Sequence, residues 1–293
     1  MKYIREDIED NWGFLQLQDK ILEIMMYIDE FCKNNDIDYC LMGGSALGAK
    51  RHGGFIPWDD DLDIFMTPDN YEKFRSLFNK KGDKEQFYLQ EWGARDGMVT
   101  ISKLRMNGTT YIESSLKDKD MHHGIFVDIF ILHNCPKSKI AKRWQFLWAK
   151  YVITKGLANR GYNRRKGFLG FLVKLLRLFP KNMLIKFGLK QVYKYRNENT
   201  DELCNFLGKA VYSNAIYKRE WFEPTVYANF EKVQLKIPEN LHDFLSFRFG
   251  DYMTPPSLDR IKWEQHAESW YVDKDFREVL GREFTFKDEI DLI

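Results

Sequence analysis

Apolar positions along the first 135 residues follow two periods, and the switching between them sets the expected fold. Across 11–34, Leu15, Leu17, Ile21, Leu22, Ile24, Met25, Ile28 and Phe31 fall at helical spacing, which predicts one amphipathic helix. A short strand is expected over 38–42, running into Gly43-Gly44-Ser45, with a short helix over 46–51 opening at that turn. A second strand is expected over 62–66. Pro68 and Asp69 then open a helix to about 79, Pro suiting the first turn and Asp the positive end of the helix dipole. Short β-rich runs at 87–90, 99–104, 109–112 and 125–132 predict further strands, separated by turn signals such as Asn107-Gly108. Together these elements describe one central sheet with flanking helices.

The pattern changes after Lys137. Residues 144–157 and 168–196 read as helical, with Pro180 interrupting the second stretch. Strand-like pieces return over 217–238, and a short helix over 241–249 ends at Gly250. The last 30 residues are polar and mixed and carry no clear period. There are no internal repeats.

With 293 residues, 44% of them apolar and 30% charged, the chain can bury a core as one large domain or two small ones. Aromatic residues reach 16%, which points to many stacked side chains or to a membrane-facing surface. No apolar run approaches the roughly 20 residues that cross a bilayer. The charged first ten residues lack an apolar stretch behind them, so no secretory leader is expected. Cys32, Cys40, Cys135 and Cys204 show no C-x-x-C spacing and read as free thiols in a reducing compartment.

The net charge of +2 conceals an asymmetry. Residues 137–196 hold 17 Lys and Arg and no acid, leaving 28 basic against 43 acidic residues elsewhere. A block of this kind meets an anionic surface.

The densest chemistry lies in the run from Gly43 to Ile64. Asp61 and Asp63 are two apart and flank apolar Leu62, with Ile64 following. On a strand that spacing sends both carboxylates to one face and the aliphatic side chains to the core. Paired carboxylates on one face call for a cation, and oxygen ligands select a hard one, Mg²⁺ or Mn²⁺. The Gly44-Ser45 turn, between a strand and a helix start, presents backbone N–H groups and a hydroxyl to an anion. A glycine–serine turn ahead of an Asp-x-Asp strand is the layout of nucleotidyltransferase folds of the DNA polymerase β type. Asp128, alone in the uncharged run 124–132, is the expected third carboxylate, since a buried acid needs a partner or a metal.

The residues from Gly44 through Ile64, with Arg51-His52 and Ile56-Pro57-Trp58-Asp59-Asp60-Asp61-Leu62-Asp63, closely resemble the LicD family, which includes bacterial phosphocholine transferases and the fukutin-related ribitol-phosphate transferases. The resemblance continues in Lys103-Leu104-Arg105 with Thr109-Thr110, in 124–132, in Phe249-Gly250-Asp251-Tyr252-Met253 with Pro255-Pro256, and in His266. It implies an α+β, nucleotidyltransferase-like catalytic core over 1–135, a basic helical segment over 136–215, and a C-terminal part over 216–293 that completes the catalytic domain. It also implies transfer of a phosphoalcohol, phosphocholine above all, from a CDP-linked donor to a sugar hydroxyl of a glycan or glycolipid, with release of CMP. Asp61, Asp63 and Asp128 would be the catalytic and metal-holding residues. Gly44, Ser45, Arg51, Lys103 and Arg105 would bind the donor, and Asp59, Asp60 and His266 would support them. Ser45 stands where the family commonly has Thr, Ile131 where Pro often follows Phe130, and Lys232 where Gly is usual. These departures bear on donor and acceptor identity more than on reaction type.

Two other readings use the same residues. A nucleotidyltransferase would attack the α-phosphate of an NTP and release pyrophosphate. A non-enzymatic protein would bind an anionic polymer through the basic segment, although no nucleic-acid-binding motif occurs and no nucleic-acid partner is expected. A choline group would sit over aromatic faces, with Trp92, Tyr111, Trp263, Trp270 and Tyr271 as candidates. Finally, Lys174 and Arg177 share one helix face and Lys186, Lys190 and Lys194 share another, opposite apolar residues such as Met183, Leu184, Phe187 and Leu189. That pattern predicts cytoplasmic, peripheral attachment to the inner face of an anionic membrane through 168–194.

Overall fold

The computed structural model describes residues 10–91, 101–114, 116–159, 171, 183–259, 261 and 265–286. The first helix, α1 (Leu15–Asn34), starts later than the apolar pattern suggests, because the Asp10 carboxylate accepts the N–H groups of Phe14 (3.0 Å) and Leu15 (3.3 Å) and sets the start there. Its stripe Leu17, Ile21, Ile24, Met25 and Ile28 is fully buried. Strand β1 (Cys40–Leu41) leads into α2 (Gly43–Arg51). The helix thus begins at the two glycines instead of after them. Strand β2 (Asp63–Met66) is followed by α3 (Pro68–Lys81), whose first turn is capped by the Thr67 side chain.

Strands β3 (Phe87–Gln90), β4 (Ser102–Met106), β5 (Thr110–Glu113) and β6 (Phe126–Ile131) complete the N-terminal set. Five of the strands form a mixed sheet in the order β1-β2-β6-β4-β3. Only β2 and β6 run parallel; the other neighbours are antiparallel. The central strand β6 is covered on both faces, which explains its near-continuous apolar sequence. Helix α1 packs against β4 and β6, and α3 against β2.

After β7 (His133–Cys135) the chain forms α4 (Lys139–Asn159) and α5 (Met183–Val192), which pack on each other. Strands β8 (Glu202–Cys204) and β9 (Ile216–Lys218) pair with β7 in a three-stranded sheet. A hairpin of β10 (Thr225–Phe230) and β11 (Val233–Pro238) precedes α6 (Leu241–Phe249), which ends at Gly250 with φ 70°.

The polar tail carries β12 (Ala267–Tyr271) and a short helix, α7 (Phe276–Leu280). Strand β12 pairs antiparallel with β5. It is half-exposed along its length, so its sequence shows no buried alternation to read.

The basic segment corrects one expectation. The apolar residues Ile185, Leu189 and Val192 of α5 are buried, and the helix lies against α4. Of the expected apolar stripe, Leu189 is therefore core-facing, whereas Phe187 is 44% exposed. Residues 172–182, including Lys174 and Arg177, lie outside the described residues.

Candidate active site

The sheet register brings four polar side chains into one row. Asp63 lies opposite Asp128 on the parallel pair β2–β6. Asp128 lies opposite Lys103 on β4, and Lys103 opposite Gln90 on β3. The two-residue strand period turns all four to one face. Their chain neighbours Ile64, Ile129, Leu104 and Leu89 turn to the other face and are buried. Asp61, two residues before Asp63 in the loop that leads into β2, extends the acidic group.

Lys103 and Asp128 are both buried, and Lys103 Nζ lies 2.6 Å from Asp128 Oδ1. The ammonium also lies 3.4 Å from the centroid of the Phe126 ring. Burial raises the Asp128 carboxyl above its ordinary range, and the Lys103 charge and hydrogen bond oppose that rise. The Asp63 carboxyl is raised strongly, first by burial and then by the charges of Asp61, Asp128 and Asp59. Asp61 is pushed up to about 6, mainly by burial; His266 works against the shift while Asp60 and Asp128 add to it. His266 Nε2 stands 3.9 Å from Asp61 Oδ2.

Asp60 has a different task. Its Oδ2 accepts the backbone N–H groups of His266 and Ala267, both at 2.7 Å, and so pins the start of β12 beside the acids. Among the described residues, Asp59, Asp60 and Asp61 each offer an oxygen within 4.8 Å of the others. The donors are all carboxylate oxygens, and a divalent cation would offset both their burial and their mutual repulsion. The residues present therefore fit Mg²⁺ or Mn²⁺.

The start of α2 is built against this group. Gly43 has φ 53°, and a Cβ there would lie 3.7 Å from Asp63 Oδ2. A Cβ on Gly44 would come within 2.8 Å of Asp59 Oδ2. Glycine at both positions lets the positive end of the helix dipole approach the carboxylates. Ser45 is buried, and its Oγ accepts the Asp63 N–H at 2.8 Å, fixing the start of β2.

Arg51 donates from Nη1 to the Tyr252 carbonyl (2.8 Å) and from Nε to His52 Nε2 (2.9 Å), tying α2 to the segment after α6. Arg105 is 1% exposed and donates to Gln90 Oε1 (2.7 Å) and the Gly124 carbonyl (2.8 Å). Its guanidinium is committed to holding β3, β4 and the 124 turn together. Of the two basic residues on β4, Lys103 is the one in contact with an acid of the row.

Among the aromatic candidates, Tyr111 and Trp270 are cross-strand partners on β5 and β12, and Tyr271 lies opposite Thr110. Tyr111 packs edge-on against Phe126, with ring centroids 4.8 Å apart. Its hydroxyl is buried and has no hydrogen-bond partner among the described residues. Burial raises its pKa well above the ordinary tyrosine value, and Asp60, Asp61, Glu113 and Asp128 add to the rise. Trp92 and Trp263 lie outside the described residues. A separate cavity of about 410 Å³ opens between the end of β2, the start of α3 and 196–199, and none of the row acids lines it.

Two positioning residues escaped the sequence reading. Gln18 is buried in the apolar stripe of α1 and donates from Nε2 to the carbonyls of Ile56 (3.1 Å) and Asp59 (2.8 Å), holding the acidic loop. A polar residue inside an otherwise apolar stripe was the available signal. Glu231, in the turn between β10 and β11, accepts the Phe55 N–H at 2.7 Å and donates its own N–H to the Gly53 carbonyl at 2.7 Å.

Residues 36–151 match the family described as "LicD/FKTN/FKRP, nucleotidyltransferase domain". The chain is similar to the LicD family over this domain and, at lower identity, over most of its length. It is 26% identical over 271 residues, 86% of its own length and 95% of the relative's, to the lipopolysaccharide cholinephosphotransferase LicD of Haemophilus influenzae. Shorter matches are to uncharacterized proteins of Rickettsia typhi, 37% identical over 57 residues, and Rickettsia prowazekii, 32% identical over 71 residues. These cover 20% of this chain in each case, and 18% and 27% of the two relatives.

Proposed function

We propose that the protein is a phosphotransferase that moves phosphocholine from CDP-choline to a sugar hydroxyl of a cell-surface glycan or its lipid-linked precursor, releasing CMP. The near full-length similarity to a lipopolysaccharide cholinephosphotransferase supports the phosphocholine and glycan parts of this reading. The observation that carries the chemistry is the alignment of Asp63 with Asp128 on adjacent parallel strands, with Asp61 two residues away.

In the reaction, the acceptor oxygen forms a bond to the choline-bearing phosphorus while the bond from that phosphorus to the CMP oxygen breaks. Asp128, paired with Lys103, takes the proton of the acceptor hydroxyl. Asp61 and Asp63 would hold Mg²⁺ or Mn²⁺, with Asp59 beside them. A bound divalent cation neutralises the charge that develops on the diphosphate oxygens. The start of α2 at Gly43 and Gly44 would face the donor, Arg51 would serve it from the far end of the helix, and Ser45 keeps Asp63 in place. Asp60 and His266 fix the β12 side of the site. Enzymes of phosphoryl transfer work chiefly by positioning and charge stabilisation, and a buried row of fixed charges suits that task.

A lipid-linked acceptor places the enzyme at the cytoplasmic face of the membrane as a peripheral protein. No helix among the described residues is long and apolar enough to cross a membrane.

The deciding experiment incubates the protein and its Asp63→Asn variant with Mg²⁺, a glycan acceptor and, separately, CDP-choline, CDP-ribitol, CDP-glycerol and NTPs. CMP should appear with CDP-choline, and Asp63→Asn should lower turnover on the order of 10²–10³-fold, as loss of a charge-stabilising group does. Pyrophosphate from an NTP would establish a nucleotidyltransferase instead. Equal turnover of CDP-choline and CDP-ribitol would remove the choline assignment.

A further inference from the structure

The apolar stripe of α5 faces α4, yet the helical pair still exposes large apolar side chains, and they lie chiefly on α4. Ile140 (83% exposed), Trp144 (48%) and Leu147 (60%) follow one another at i, i+4 and i+7, so they line one helix face. Gln145, Ala149 and Val152 form the opposite, buried face.

Phe187 of α5, 44% exposed, continues the stripe onto the second helix. Trp148 bridges the two, with ring centroids 4.7 Å from Phe187 and 5.8 Å from Trp144. Trp144 Nε1 donates to Gln191 Oε1 at 3.1 Å, which locks its ring across the helix pair. The close approach is possible because Gly188 faces Val152 and Trp148; a Cβ there would fall 2.8 Å from Val152 Cγ2. The result is one continuous apolar strip spanning two helices.

Exposed cations border it. Lys139 and Arg143 lie on α4, Lys186 and Lys190 on α5, and all four are exposed. The sequence 137–196 contains no acid to offset them.

We propose that this two-helix face, Ile140, Trp144, Leu147 and Phe187 rimmed by Lys139, Arg143, Lys186 and Lys190, docks on an anionic phospholipid bilayer. The placement deepens the reading of a lipid-linked acceptor and rests on it only for the purpose of docking, not for its physics. Aliphatic and tryptophan side chains enter the acyl–headgroup boundary, while the cations meet the anionic headgroups. Charge complementarity selects a membrane over a second copy of this chain, because two such faces would bring eight cations together. The surface keeps Phe187, Lys186 and Lys190 of the helix face expected from the sequence and adds the exposed face of α4, whereas Leu189 of the expected stripe is buried.

The test is flotation of the full chain with vesicles of phosphatidylglycerol and phosphatidylethanolamine, and with vesicles of phosphatidylcholine alone. Wild type should float with the anionic vesicles and not with the neutral ones, and raised salt should release it. Trp144→Ser with Leu147→Ser, and separately Lys139→Glu, Arg143→Glu, Lys186→Glu and Lys190→Glu together, should each weaken binding at least about tenfold. Every substituted side chain is exposed, and unchanged circular dichroism and melting confirm that the variants fold. The proposal is overturned if wild type stays with the buffer, or if either variant floats as wild type does. It is also overturned if wild type is a dimer that Trp144→Ser with Leu147→Ser converts to monomer. Turnover of CDP-choline on a soluble acceptor should be the same in all forms. Absent turnover with intact flotation would sink the transferase reading and leave the docking face standing.

Discussion

Asp63 and Asp128 occupy directly opposed positions on two parallel strands, and Lys103 meets Asp128 from the antiparallel strand on its far side. A cation therefore already sits at one end of the acidic row. The ion pair is buried, so its members depend on each other: removing one leaves an uncompensated charge in a low-dielectric site. Lys103→Met should cost about 3–5 kcal/mol of stability. Lys103→Met with Asp128→Asn should recover most of that loss, because neither charge then remains. Urea unfolding of the two single variants and the double variant in the presence of a chelator closes the cycle. A Lys103→Met protein as stable as wild type would show that Asp128 has another partner.

The row also sets the pH response of the metal-free protein. Asp61 has its folded pKa near 6 against an ordinary 3.8, and Asp63 and Asp128 shift in the same direction. A raised carboxyl means that the folded chain holds the proton more tightly than the unfolded chain. That contribution is complete below pH 3.8 and is lost as pH rises through about 6. Asp61→Asn removes the titration, so in chelator it should exceed wild type in stability at pH 7 and match it near pH 4. At 1.36 kcal/mol per unit, the gap at pH 7 is on the order of 2–3 kcal/mol. His52 and His123, lowered to about 4 chiefly by burial, weaken both proteins alike in acid and cancel in the difference. Adding Mg²⁺ should reverse the order at pH 7, since only wild type keeps the full ligand set. A variant that stays less stable than wild type in chelator at pH 7 would refute the repulsion argument.

Much of the row was readable before any coordinates. The i, i+2 spacing of Asp61 and Asp63 before Ile64 fixes which side of a strand they share, and Asp128 stood out as one acid in an uncharged run. Strands β2 and β6 lie within one residue of the expected limits at either end. What sequence could not show is adjacency. Nothing local says that β6 lies between β2 and β4, or that Lys103 and not Arg105 faces Asp128, because register is settled by packing across the sheet. Arg105 looks as cationic as Lys103 on paper; its burial against Gln90 and the Gly124 carbonyl is a tertiary fact. The same limit applies to α5. Its apolar and basic stripes fit a lipid-facing helix and a core-facing helix equally, and only the position of α4 decides between them.

Tyr111 supplies the sharpest separation of structure from function at the site. Its hydroxyl is buried and makes no hydrogen bond among the described residues. Leaving such a group unpaired costs about 1–3 kcal/mol, so a purely structural account favours Phe at this position. The ring itself is well used: it packs edge-on against Phe126, beneath which Lys103 and Asp128 meet, and it faces Trp270 across the β5–β12 pair. Burial, with the neighbouring carboxylates adding to it, keeps the phenol protonated, so its O–H is available as a donor. If the proposed site takes a CDP-linked donor, this O–H is a candidate to serve its phosphate oxygens. Tyr111→Phe keeps the ring and removes the oxygen alone. In the ligand-free protein it should raise stability by about 1 kcal/mol, read as a higher melting temperature. Turnover with CDP-choline should fall at least about tenfold, the effect of one lost hydrogen bond of about 1.4 kcal/mol in the transition state. A lower melting temperature would mean that the hydroxyl has a structural partner, and unchanged turnover would mean that it serves no substrate.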